Sequence, residues 1–168
     1  MHIKIKPHHF LDLICDTAVT NGIFEYISPY GHGMREHGNL LSQGKINSLT
    51  FTCEADDICK PCIKLKEGHC TDLYNEELTA RFGFDNKYDY NMKLDLGFIN
   101  VLPEIFSPNI KRDIDDILSL LKEKLTPEII LLNWPRENRV DFTLHGLDMV
   151  INARKTKSEG EYNDKKQN

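Results

Sequence analysis

Long apolar runs are missing from this 168-residue chain; the longest, Ile129 to Leu132, has four residues. A membrane-spanning helix needs about 20, so no membrane partner is expected. The opening, Met1-His2-Ile3-Lys4-Ile5-Lys6-Pro7, alternates apolar and basic residues and lacks the apolar centre of a signal peptide. A basic excess is missing too. The 21 Lys+Arg are outnumbered by 26 Asp+Glu, for a formal net charge of −5. A general nucleic-acid binder needs a basic face that releases counterions, so no nucleic-acid partner is expected. Internal repeats, a phosphate-binding glycine loop, a Ser-centred nucleophile elbow and a dinucleotide fingerprint are all absent. An even cysteine count is lacking as well. With five cysteines, complete pairing into internal disulfides is impossible. The expected location is the cytoplasm, where clustered cysteines read more often as metal ligands or catalytic groups than as disulfides.

What is present suits one domain. Hydrophobic residues make up 40% of the chain, and a chain of this length buries about 70% of its unfolded surface. Ile3 and Ile5 share one face of a short strand, and Pro7 suits the first turn of a helix. Phe10, Ile14 and Ala18 recur every four residues, a helical stripe that Asn21-Gly22 ends. A turn at Pro29–Gly33 precedes a short helix from Met34. Leu49, Phe51 and Cys53 alternate with threonines as a half-buried strand. Asn75 caps a short helix through Arg81, and another helix spans about Asp89 to Val101. Ser107-Pro108 starts a strongly amphipathic helix carrying Ile110, Ile114, Ile117, Leu118, Leu121 and Leu125, and Thr126-Pro127 redirects it. Val140, Phe142 and Leu144 alternate as a strand before a final helix. The expected fold is α+β, a single helix-rich domain over residues 1–153 with few short strands and a cysteine-rich loop. Residues 154–168 are expected to form a disordered polar tail.

Four cysteines, Cys53, Cys59, Cys62 and Cys70, fall in the pattern C-x5-C-x2-C-x7-C. Two residues between Cys59 and Cys62 let a tight turn aim both sulfurs at one point, as zinc and iron–sulfur sites require. Gly68 lets the chain turn back to deliver Cys70. Isolated thiols and a thioredoxin-like redox pair are the alternatives. The latter needs a βαβ context that is missing here. Cys53 is in phase with Leu49 and Phe51, so core packing competes with ligation. Zinc favours two short-spaced pairs, and only one exists. A cluster tolerates irregular spacing because its irons lie apart, so the spacing leans toward iron–sulfur.

Pro7-His8-His9-Phe10-Leu11-Asp12 is the second constellation. On a helix His8 and Asp12 share a face, with Cys15 and Asp16 one turn further along. A His and a carboxylate at this spacing suit a divalent metal or an acid–base pair. Simple helix capping explains them equally well. His32, between glycines, and His69, beside Cys70, are lesser candidates.

These segments resemble an uncharacterised family of small bacterial and archaeal proteins regarded as iron–sulfur binders. Its members open with a Pro-His-His-Leu-Leu-Cys type segment and later carry Asp-Asp-Ile-Cys-x-x-Cys and a further cysteine. The matching residues are Pro7-His8-His9-Phe10-Leu11, Asp56-Asp57-Ile58-Cys59-Lys60-Pro61-Cys62, and Cys70. Tyr30-Gly31-His32 resembles a segment of one branch. The resemblance spans roughly residues 3–100 and implies Cys59, Cys62 and Cys70 as ligands of a cluster, for instance 4Fe–4S. Where much of the family has cysteine this chain has Asp12, so the fourth ligand stays open among Asp12, Cys15, Cys53, a histidine such as His69, or none. The resemblance also implies that the helix face meets the cysteine loop; it implies no reaction. Three functional readings follow. The first is a cluster protein with an electron-transfer or small-molecule partner. The second is a structural zinc module for interactions. The third is a metal-dependent enzyme using His8, His9, Asp12 and His32.

Overall fold

A computed structural model describes residues 1–133 and 138–164, with side chains described through Leu131 and again from Asn138 to Lys157. It has the expected α+β class. The central sheet is small because few segments alternate. β1 (His2–Ile5) runs parallel to β2 (Ser48–Phe51), with Ile3 opposite Leu49 and Ile5 opposite Phe51. All four side chains are buried on one face, as a period of two demands.

α1 (Pro7–Val19) starts with proline at its first position, where a missing N–H costs nothing. Phe10, Leu11, Leu13 and Ile14 are buried beneath it. α2 (Met34–Ser42) packs beside α1. After β2 comes a hairpin of β3 (Leu65–Lys66) and β4 (His69–Cys70), turned at Glu67-Gly68 with φ of +48° and +82°. Two consecutive positive φ angles match the right-handed twist of a hairpin. α3 (Glu76–Phe82) is capped by the Asn75 side chain, which accepts from the Leu78 N–H at 2.9 Å. α4 (Lys87–Val101) is capped in the same way by Asn86. α5 (Pro103–Phe106) closes the core, where Phe10, Phe51, Phe106 and Phe98 form a chain of ring contacts at 5.6, 5.0 and 5.7 Å.

Three expectations need correction. The amphipathic helix starts later than Ser107-Pro108. Asn109 has φ of +63°, and β5 (Lys111–Asp113) pairs antiparallel with β2. α6 (Ile114–Lys124) then begins with Asp113 as its cap, and Ile110 lies outside the buried stripe, 48% exposed. α7 (Pro127–Asn133) follows the Thr126-Pro127 restart. The strand expected at Val140–Leu144 is instead the start of α8 (Arg139–Asp164). Thr143, Leu147 and Val150 are its buried positions, a helical spacing that outweighs the short alternation. The helix also runs through the supposed polar tail as far as Asp164. Arg154 anchors it by donating to the Ile46 carbonyl at 2.5 Å and to Asp115 at 2.9 Å. Residues 165–168 lie outside the described residues.

α8 crosses α1 closely. A Cβ on Gly146 would lie 1.9 Å from the Ile14 carbonyl oxygen, so glycine alone permits this crossing. Among the described residues no helix is long and apolar enough to cross a membrane.

Candidate metal centre

The loop after β2 lacks an apolar pattern, and aspartates organise it instead. Asp57 accepts from the Lys4 backbone N–H at 2.7 Å, and Asp56 accepts from the Lys6 N–H at 2.8 Å. Both bonds stitch the loop to the end of β1. Ile58 anchors it in the core. The other Asp56 oxygen accepts from the Cys59 N–H at 2.9 Å, an aspartate turn that shapes the start of the Cys-x-x-Cys segment.

Asp56 also receives His9. The His9 Nδ1 lies 2.8 Å from the Asp56 Oδ2 that faces Lys6, while Asp56 is wholly buried. Burial alone would raise the Asp56 pKa. The His9 charge and hydrogen bond, with the Lys6 and Cys59 N–H groups, outweigh it and hold the carboxyl well below the usual carboxylate range. For His9, burial alone would lower the pKa, and Asp56 outweighs that, so the imidazole pKa is raised. A carboxylate on one ring nitrogen fixes the ring and leaves the other free for a metal. His9, Asp56 and Cys59 offer ligand atoms within 4.8 Å of one another. Because Asp56 already accepts three hydrogen bonds, its natural role here is to orient His9 and the loop.

His9 and Cys59 border a cavity of about 460 Å³, and Cys62, Cys70, His32 and Asp12 border it too. The loop supplies Cys59 and Cys62, and the hairpin supplies Cys70. The Tyr30–Gly33 turn is tied on by Gly33 N–H donating to the Ile58 carbonyl and Ile63 N–H to the Tyr30 carbonyl. That tie carries His32 to the cavity wall, where burial and the His9 charge push its pKa down. All five cysteines are free thiols. Burial, then the Asp56 charge, pushes the Cys59 thiol up to about 12. A metal binding there would displace its proton, so loading releases protons.

The remaining candidates go elsewhere. His8 turns away from Asp12 and pairs with Asp95 at 2.8 Å, both buried. The His8 Nε2 and Asp95 Oδ2 atoms are buried without a hydrogen-bond partner among the described residues. Asp12 pairs with Arg139 of α8 at 2.7 Å. The shared His8–Asp12 face of α1 is therefore split between two partners. Cys15 is buried between α1 and α8, away from the cavity lining. Cys53 sits past the end of β2, half-buried, in the field of Asp95. His69 is exposed on the hairpin, with its ring 4.8 Å from Tyr88.

Sequence reasoning overlooked Asp56 and Asp95 as partners of the two histidines. For Asp56 a signal existed: an aspartate three residues before a cysteine is the spacing of the turn it makes. For Asp95 none did, because it meets His8 only through packing of α4 on α1. No family model, curated protein or solved structure matches this chain. What stands is a His/Asp/Cys group with further cysteines nearby that could hold a metal.

Proposed function

We propose that this protein holds an iron–sulfur cluster on Cys59, Cys62 and Cys70, with His9 as the fourth ligand. One observation carries the reading. Three free cysteines from two segments, and an imidazole already oriented by a carboxylate, border the same cavity. Among the described residues, the donor group within 4.8 Å includes neither Cys62 nor Cys70. Donors spread along a wall suit a cluster, which takes each ligand at a different iron. The short-motif resemblance to iron–sulfur binders points the same way. Bound there, a cluster would supply an electron port or a Lewis-acidic iron.

A second reading is a zinc ion on the same Cys₃His set, favoured by the Asp56–His9 pair, since carboxylate-oriented histidines are common at zinc. Anaerobically purified protein decides between them. Iron and acid-labile sulfide with broad visible absorption support the cluster. Stoichiometric zinc without colour would replace it, and neither metal would sink both readings.

A further inference from the structure

The cavity is larger than a metal centre requires. At about 460 Å³ it falls within the range of small-molecule pockets, roughly 300–1,000 Å³. Its apolar lining includes Phe24, Met34 and Ile58. Part of its charged lining is paired within the protein. Lys64 and Lys87 both pair with Asp72, and Asp12 pairs with Arg139.

Lys6, Asp16 and Arg35 remain; Asp16 is an anion and Arg35 is exposed, which leaves Lys6 as the inner cation. It borders the cavity, only 7% exposed, and its ammonium has no hydrogen-bond or ion-pair partner among the described residues. The stem of Lys6 is buried while its ammonium keeps contact with solvent at the cavity wall, where it is open to an entering anion. The position is fixed: Lys6 precedes α1, and its backbone N–H is held by Asp56. Its charge acts on both His9 and Cys59, which places it beside the metal centre.

We propose that the cavity binds a small organic carboxylate, with the carboxylate group on the Lys6 ammonium and the apolar body against Phe24, Met34 and Ile58. This deepens the reading above by naming the class of molecule that meets the metal centre. Lys6 supplies charge-assisted hydrogen bonds, and the apolar lining supplies burial.

The test is calorimetric titration of benzoate, and of its uncharged isostere benzamide, into the full chain with and without metal. Wild type and Lys6→Met are compared, with metal content measured on the same samples. The expected result is saturable benzoate binding at millimolar concentration, about tenfold or more tighter than benzamide, and lost to benzamide's level in Lys6→Met. Absent benzoate binding, equal binding of both probes, or full affinity in Lys6→Met would each overturn the proposal. So would a Lys6→Met effect on metal content alone, which would make Lys6 a counter-ion for the thiolates. If Lys6→Met does not fold, the wild-type preference for benzoate decides. Benzoate binding by protein that takes up no metal would sink the metal reading and keep this one; metal without benzoate binding would do the reverse.

Discussion

Replacing Asp56 with alanine removes a group that joins α1, the end of β1 and the cysteine loop. The carboxylate is wholly buried and accepts from Lys6 N–H at 2.8 Å, His9 Nδ1 at 2.8 Å and Cys59 N–H at 2.9 Å. Hydrogen bonds to a charged group contribute about 1.5–3 kcal/mol each. They do not add fully, because water can enter from the cavity and satisfy part of the exposed N–H groups. Breaking a buried ion pair costs about 3–5 kcal/mol, and that is the expected loss. It corresponds to a Tm fall of about 6–20 °C for a chain of this size. The pH dependence sharpens the test. The folded Asp56 pKa is depressed, so its contribution is complete above the unfolded value, about 4, and fades as pH falls toward the folded one. The His9 pKa is raised, so its contribution is complete below about 6.5 and fades as pH climbs through the folded value. The gap between wild type and Asp56→Ala should therefore be widest between pH about 4 and 6.5. Urea unfolding followed by circular dichroism, in chelating buffer, measures it. A gap below about 1 kcal/mol at its widest, or one that does not vary with pH, refutes the reasoning.

Three further outcomes are expected. Gly146→Ala should cost about 3 kcal/mol or more, because its Cβ would meet the Ile14 carbonyl oxygen and α8 would have to shift off α1; equilibrium unfolding reads the loss. Burial and the neighbouring Asp12 charge push the Asp16 pKa up to about 6, so wild-type stability should decline as pH rises from about 4 through about 6. Asp16→Asn should remove that decline and gain about 1–3 kcal/mol above it, measured by unfolding at pH 5 and 7.5. Serine at Cys59, Cys62 or Cys70 should cut metal content sharply, whereas serine at Cys15 or Cys53 should leave the metal-to-protein ratio unchanged; elemental analysis of each variant separates the two groups.

Elements whose signals are local were legible. Pro7 and Asn75 open or cap helices through contacts within a few residues, and Ile3, Ile5, Leu49 and Phe51 bury one face by simple alternation. The misread segments are those where a distant partner decides. Lys111–Asp113 is a strand only because β2 offers an edge. Arg154 continues a helix because Asp115 and the Ile46 carbonyl await it. Val140–Leu144 alternates over too few residues to separate strand from helix, and its packing against α1 chooses helix.

The same division holds at the site. Sequence alone determined which residue types are available: a Cys-x-x-Cys turn, a third cysteine beyond a glycine, and a pair of histidines at a helix start. Side-chain chemistry and chain stiffness over a few residues fix those features. Which histidine meets the cysteines was decided by tertiary structure. His9 is drawn to the cavity by Asp56, His8 is drawn into the core by Asp95, and Asp12 is claimed by Arg139. Those three partners lie 47, 87 and 127 residues away along the chain. Adjacent residues on one helix receive opposite assignments because a buried polar group must find a partner, and packing alone determines which one is within reach.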